Sequence, residues 1–447
     1  MKIKKLMSLL FAALLLFGLA AVPSGAAAGQ GSGIDGAAFL AGLEALGKQS
    51  AEGTRLVVKT TSDMALSDDF GASAKVEGYN GWHVLQYASK TAADSAYAKL
   101  SKLNGVKYVE RSQSVSLINP IINTDDTAAG EEAEPMSWGA AVVKSPEMKA
   151  ALAGRELPET VIAILDTGLD FNHPYFIENA DRITGRFKDG RYTQDDHGHG
   201  THVAGIICDN APGNVKISPY KVLNGGGYGD DIYIATAMCA AADDKVDVIS
   251  MSLGGPRGYA MDDAVVYAVS KGVTVVVAAG NWSEDVVYSS PAGVPQAITV
   301  SATNKDNTPA YFSNYGALVD IAAPGGYASN NEDMNAINST TPIFRGSYYQ
   351  KWAGTSMATP FVSAAAATVK ALHPDYTPGD IENALKRTAV KTQNWDARYG
   401  AGVLNCKALL DLPDKPLPDE SEEQTASFFE VLWQWILRIF FFGWIWM

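Results

Sequence analysis

Between Trp138 and Leu412 the chain alternates short apolar runs with stretches at helical spacing, and this alternation leaves few folds open. Thr160–Leu165, Val246–Met251 and Val273–Ala278 are mostly apolar, and Ala297–Ser301 is a weaker run of the same kind. A strand with no polar face has to be covered on both sides, as in a parallel sheet inside a helical sandwich. Asp231–Asp243 and Ala260–Lys271 are the helix-like stretches between runs. The expected fold class is therefore α/β, a mainly parallel sheet sandwiched by helices. A domain spanning 138–412 buries a large core without disulfides.

Several short motifs carry chemistry. Asp166 follows the run 160–165 in Ile-Leu-Asp-Thr-Gly (164–168), so it sits at the carboxyl end of a strand, where open α/β sheets place their sites. Asp170 is its rival but lies outside that motif. His199 opens His-Gly-Thr-His-Val-Ala-Gly (199–205), with His197 and His202 close by. Together with Asp195 and Asp196 these imidazoles also admit a metal-site reading. Ser356 lies in Gly-Thr-Ser-Met-Ala-Thr-Pro (354–360), ahead of an Ala-rich stretch, Met357–Leu372, that reads as a buried helix. At a helix start the macrodipole favours developing negative charge, and Pro360 is expected in the first turn, where prolines are tolerated.

In these motifs, taken in the order Asp, His, Ser, the chain resembles the subtilase family of serine endopeptidases. The likeness covers 138–412 well and about 50–118 loosely. It implies that Asp166 orients, His199 transfers protons, Ser356 attacks and His202 is structural. Asn281, in Ala-Ala-Gly-Asn (278–281), matches the family's oxyanion asparagine, with the backbone N–H of Ser356 as second donor. Ser252, Leu253 and Gly254, and Gly227 and Gly229 from a glycine-rich run, are implied to bind an extended polypeptide substrate as an added strand. His197 falls outside the match and is expected to cap a loop or face solvent. Catalysis needs no cofactor on this reading. Structural calcium stays in doubt, because the stretch 206–220 is short and lacks an Asn-rich calcium loop. The stretch between Gly325 and Gly354 is expanded, which points to the leaving-group side of the cleft.

The chain begins like a secretory signal peptide, 1–28: Lys2, Lys4 and Lys5, an apolar run from Leu6 to Val22, then small residues to Ala28. An uncleaved anchor is the other reading. The formal net charge of −14 excludes nucleic acid as a partner. Cys208, Cys239 and Cys406 are too few for a disulfide scaffold; a Cys208–Cys239 bridge is open, and buried free thiols are preferred.

Residues 29–118 carry their own strand, helix, strand pattern: 54–60, 82–87, a helix over 92–103, and 106–110. This suggests a small unit of split βαβ, ferredoxin-like type. It resembles the subtilase propeptide, which implies a folding aid and intramolecular inhibitor. Residues 119–137 read as an exposed acidic linker, with the maturation bond in it or just before it and not otherwise named. Residues 413–427 form an acidic, proline-containing linker. Residues 428–447 are almost wholly apolar and aromatic, with Glu430, Gln434 and Arg438 on one helical stripe. Such a tail suits contact with a membrane, spanning it or lying on it. The expected product is a secreted or cell-surface serine endopeptidase made as a zymogen. A pseudo-protease that only binds peptides is the alternative.

Overall fold

The computed structural model describes residues 36–46, 53–61, 64, 66, 70–118, 120–122, 137–185, 194–327, 335–391 and 397–414. The signal-peptide and hydrophobic-tail readings fall outside these residues, as do most of the two linkers. Among the described residues no helix is long and apolar enough to cross a membrane.

Helix α1 (Gly36–Ala45) precedes strands β1 (Arg55–Thr60), β2 (Ala74–Tyr79) and β3 (Trp82–Gln86). Helix α2 (Lys90–Leu100) then leads to β4 (Val106–Arg111). The four strands form an antiparallel sheet in the order β2-β3-β1-β4. The strand–helix–strand crossover expected from sequence is present. The first helix of a ferredoxin-like unit would fall in 61–73, which includes residues outside the described set.

This sheet is buried on both faces. Leu56, Val58 and Leu85 pack with Ala93, Ala96 and Leu100 of α2. Val57, Val84 and Trp82, one residue out of phase, join a cluster with residues of two later helices, α7 (Asp231–Asp243) and α8 (Tyr259–Ser270). Period-two alternation thus gives one face to the unit's own helix and the other to the large domain.

Next come β5 (Ser114–Leu117) and β6 (Ile121–Ile122). The expectation of an exposed linker from 119 is corrected here: Ile121 and Ile122 are in a strand, and Ile121 is partly buried against the main core. Two apolar residues at the edge of an acidic segment gain more from a sheet edge than from water.

The large domain runs through α3 (Trp138–Val143), α4 (Ser145–Leu152), β7 (Thr160–Asp166), α5 (Pro174–Glu178) and α6 (His199–Asn210). It continues with β8 (Val215–Lys221), β9 (Tyr228–Asp230), α7, β10 (Val248–Met251), β11 (Leu253–Pro256), α8 and β12 (Thr274–Ala278). Then follow β13 (Ser289–Ser290), β14 (Ile298–Thr303), β15 (Ile321–Pro324), β16 (Ile337–Thr340), β17 (Tyr349–Ala353), α9 (Thr355–Leu372) and α10 (Pro378–Thr388).

Six strands make a parallel sheet ordered β15-β14-β12-β10-β7-β8. The apolar runs show no alternation because both faces are covered. Ile162, Ile164, Val248 and Val276 pack with α6 and α9, while Ala163, Leu165, Ile249, Val275 and Val277 pack with α7 and α8. The two edge strands are the ones sequence reading missed. β8 reads Val-Lys-Ile-Ser-Pro-Tyr-Lys, and its Pro219 is tolerated because an edge strand leaves one side unpaired. Cys208, Cys239 and Cys406 are free and buried, and burial pushes the Cys208 thiol up to about 11.

Candidate active site

β7 delivers Asp166 to the carboxyl end of the sheet, and α6 begins beside it with His199. The two elements meet closely because Gly200 donates its N–H to Thr167 Oγ1 at 2.9 Å. A Cβ on Gly200 would run into the Gly168 carbonyl, so only glycine allows this approach. His199 Nδ1 then lies 2.8 Å and 2.9 Å from the Asp166 carboxylate oxygens. A carboxylate accepts, so Nδ1 carries the proton and Nε2 is left with a lone pair. His199 Nε2 is buried without a hydrogen-bond partner among the described residues.

Asp170 is occupied elsewhere, accepting from Gln194 Nε2 at 2.9 Å and from Asn172 N–H at 3.1 Å. His202 is also engaged elsewhere. His202 Nε2 donates to Gln350 O at 3.0 Å, and its ring stacks on Trp352 at 4.7 Å. Burial pushes His202 down to about 3, so it stays neutral. His197 is half-buried rather than solvent-facing, and burial with the nearby His199 lowers it to about 4. Asp195 accepts from the backbone N–H groups of His197, Gly198 and Thr201. Asp195 and His202 are thus committed elsewhere, while His197 Nδ1 is buried without a hydrogen-bond partner among the described residues. Among the described residues no group of His, Cys, Asp or Glu is arranged to hold a metal.

Ser356 is the second residue of α9. Pro360 lies beyond the first turn, which corrects the expectation from sequence. It cannot donate to the Ser356 carbonyl four residues earlier. Ser252 Oγ donates to that carbonyl instead, at 2.9 Å. Ser252, expected to touch substrate, therefore braces the serine-bearing turn with its side chain. Asn281 Oδ1 accepts from Thr355 N–H and Thr355 Oγ1, both at 2.9 Å, which fixes the amide beside the start of α9. A Cβ built on Gly354 would come within 2.9 Å of Asn281 Nδ2.

The cleft at Ser356 is filled by the chain itself. β5 is the central strand of an antiparallel sheet between β11 and β9. Leu253 and Gly254 pair with Leu117 and Ser116, and Gly229 pairs with Val115. Leu117 N–H donates to Gly227 O at 2.8 Å, and a Cβ on Gly227, whose φ is +80°, would come within 2.7 Å of the Leu117 side chain. Ser356 Oγ donates to Ile118 O at 3.0 Å and also lies 3.3 Å from Ser252 O. With this strand in place His199 and Ser356 are 0% exposed and Asp166 1%.

Known proteins share this arrangement's sequence. Residues 158–402 match the model of a family described as "Subtilase family". Subtilisin J of Geobacillus stearothermophilus is 32% identical over 382 residues, covering 82% of this chain and 92% of that protein. Subtilisin Savinase of Lederbergia lenta is 38% identical over 287 residues, 62% of this chain and 99% of that one. A solved protease from Pseudoalteromonas arctica superposes with a TM-score of 0.50 at 29% identity, covering 57% of this chain and 90% of its own.

Proposed function

The chain belongs to the subtilase family and is a subtilisin-like serine protease, and from that premise we propose that it is a secreted zymogen that cuts its own Ile118–Asn119 bond. The observation that carries this is the Ser356 hydroxyl, 3.0 Å from the carbonyl oxygen of Ile118, at the end of a strand paired on both sides. Export rests on the signal-like residues 1–28.

The reaction follows from the residues in place. Asp166 holds His199 with Nε2 free to accept a proton. The Ser356 hydroxyl turns from Ile118 O and Ser252 O toward Nε2, gives up its proton there, and Oγ bonds to the Ile118 carbonyl carbon. The carbonyl π electrons move onto oxygen, where Asn281 Nδ2 and the Ser356 N–H stabilise the charge. Collapse breaks the C–N bond. The Asn119 nitrogen leaves with the proton from His199, and Ile118 remains as an ester on Ser356. Water, deprotonated by His199, attacks the ester and releases the Ile118 carboxylate and the serine hydroxyl. The same geometry serves other polypeptides: an extended segment takes the place of β5 between 253–256 and 228–230. No cofactor enters any step.

Residues 29–118 then act as the inhibitor, holding β5 in the cleft until they leave. The test is the intact mass of the secreted protein beside Ser356→Ala. Wild type is expected to separate after Ile118, and the variant to stay joined. If both are cut alike, or neither is, self-processing by Ser356 fails.

A further inference from the structure

The chain does not stop at Ile118. β6 pairs antiparallel with β17, Ile121 opposite Ala353 and Ile122 opposite Trp352. β17 is therefore the middle strand of a three-stranded sheet, with β16 on its other edge.

The β16–β17 hairpin is bonded to the helix that carries His199 and to His173 ahead of α5. His202 Nε2 donates to Gln350 O at 3.0 Å, and His173 Nε2 donates to Tyr348 O at 2.9 Å while its Nδ1 accepts from Tyr175 N–H. Ser339 Oγ and Thr340 Oγ1 donate to the carbonyls of His202 and Thr201, each at 2.8 Å. The Trp352 ring lies flat on His202, and Arg345 Nε donates to His197 O. Backbone edges fixed in this way bind an added strand without having to be ordered first. Ile121 also meets the main hydrophobic core with its side chain.

We infer that β17 is a leaving-side recognition strand, pairing with the third and fourth residues after the scissile bond and favouring an apolar third residue. The inference rests on the reading that Ser356 attacks at Ile118, since that sets the register. In the precursor the seat is held by Ile121 and Ile122; in the mature enzyme a substrate takes the same edge. The expanded stretch before Ser356 would then give the enzyme a demand for substrate length beyond the bond it cuts.

The experiment uses mature enzyme from the full chain, with the Ser356→Ala protein as blank, and peptides copied from 114–122. One peptide is complete, one ends at the Pro120 position, and one carries Asp at the Ile121 position. The complete peptide is expected to have a kcat/KM at least tenfold above both others. Equal values for the complete and shortened peptides overturn the inference while leaving the peptidase reading intact. A loss on shortening without a loss on Asp overturns the apolar preference alone. If no peptide is cut in a Ser356-dependent way, the peptidase reading fails, and this inference falls with it.

Discussion

At the scale of single residues, the site depends on a few atoms whose partners leave no slack. Asn281 is positioned through its oxygen by Thr355, which holds its amide beside the start of α9. Asn281→Ala is expected to lower kcat by about 10²–10³ with KM little changed, a magnitude taken from subtilisin itself rather than derived from this chain. Steady-state kinetics on one peptide check it. Gly200 is a second such point, because its missing side chain lets α6 approach the Gly168 backbone. Gly200→Ala is expected to cost about 1–3 kcal/mol through overpacking and to shift His199 off Asp166. A fall in melting temperature together with at least a tenfold fall in kcat would bear this out; unchanged values for both would refute it. Asp166, His199, Ser356 and Asn281 could be picked out from short motifs. The role of Ser252 could not, because it arises from a proline gap on a different element.

At the scale of elements, helix α8 shows how the N-terminal unit is held. Its first N–H groups, of Tyr259 and Ala260, donate to the two carboxylate oxygens of Glu110 on β4 at 2.8 Å and 2.7 Å. A helix N-terminus prefers an anion. Burial still pushes the Glu110 carboxyl above its usual range, outweighing those two bonds. Glu110→Ala leaves both N–H groups of α8 without their acceptor. It is expected to weaken retention of the cleaved prosegment about tenfold, the cost of a buried donor left unsatisfied. The rate at which peptidase activity appears after dilution measures this, and an unchanged rate would remove Glu110 from the docking account. The buried strands β7, β10 and β12 were legible because they are mostly apolar. β8 and β15, at the sheet's edges, were not, since an edge strand tolerates the polar residues and prolines that break the pattern. The hairpin β16–β17 was hidden for a similar reason: its order comes from the His202 ring and from its own Ser339 and Thr340 hydroxyls bonding to α6 carbonyls, not from its own periodicity.

At the scale of the whole molecule, the seam between the N-terminal unit and the large domain concentrates carboxylates. Asp230 meets Arg55 at 2.9 Å, Asp231 accepts from Ser112 Oγ at 2.8 Å, and Glu110 caps α8, with Asp262, Asp263 and Lys59 nearby. Burial raises Asp230 and Glu110, and burial with the neighbouring Asp230 raises Asp231 further. Once the units part, these groups return to ordinary values near 4. A carboxyl whose value is higher when docked takes up a proton on docking. Docking is thus strongest below the ordinary carboxylate range and weakens as pH rises through the raised values. Release of the cleaved prosegment is expected to be slower at pH 5 than at pH 8, followed by the recovery of activity at each pH. A flat or reversed profile would show that these groups do not govern release.

The sequence alone determined the parallel sheet and its helical cover, and it marked Asp166, His199, Ser356 and Asn281 as the candidate site. Each of these is written in neighbouring residues, as an apolar run or a motif a few positions long. Only the tertiary structure decided that 114–118 fills the cleft with Ile118 at the serine. It also moved Ile121 and Ile122 from a linker into a strand, and Pro360 past the first turn, with Ser252 covering the gap. These features depend on contacts between residues 104 to 238 positions apart, such as Ser252 with Ser356 and Ser356 with Ile118. Backbone pairing across such distances is blind to side-chain type, so it leaves almost no mark on the sequence that makes it.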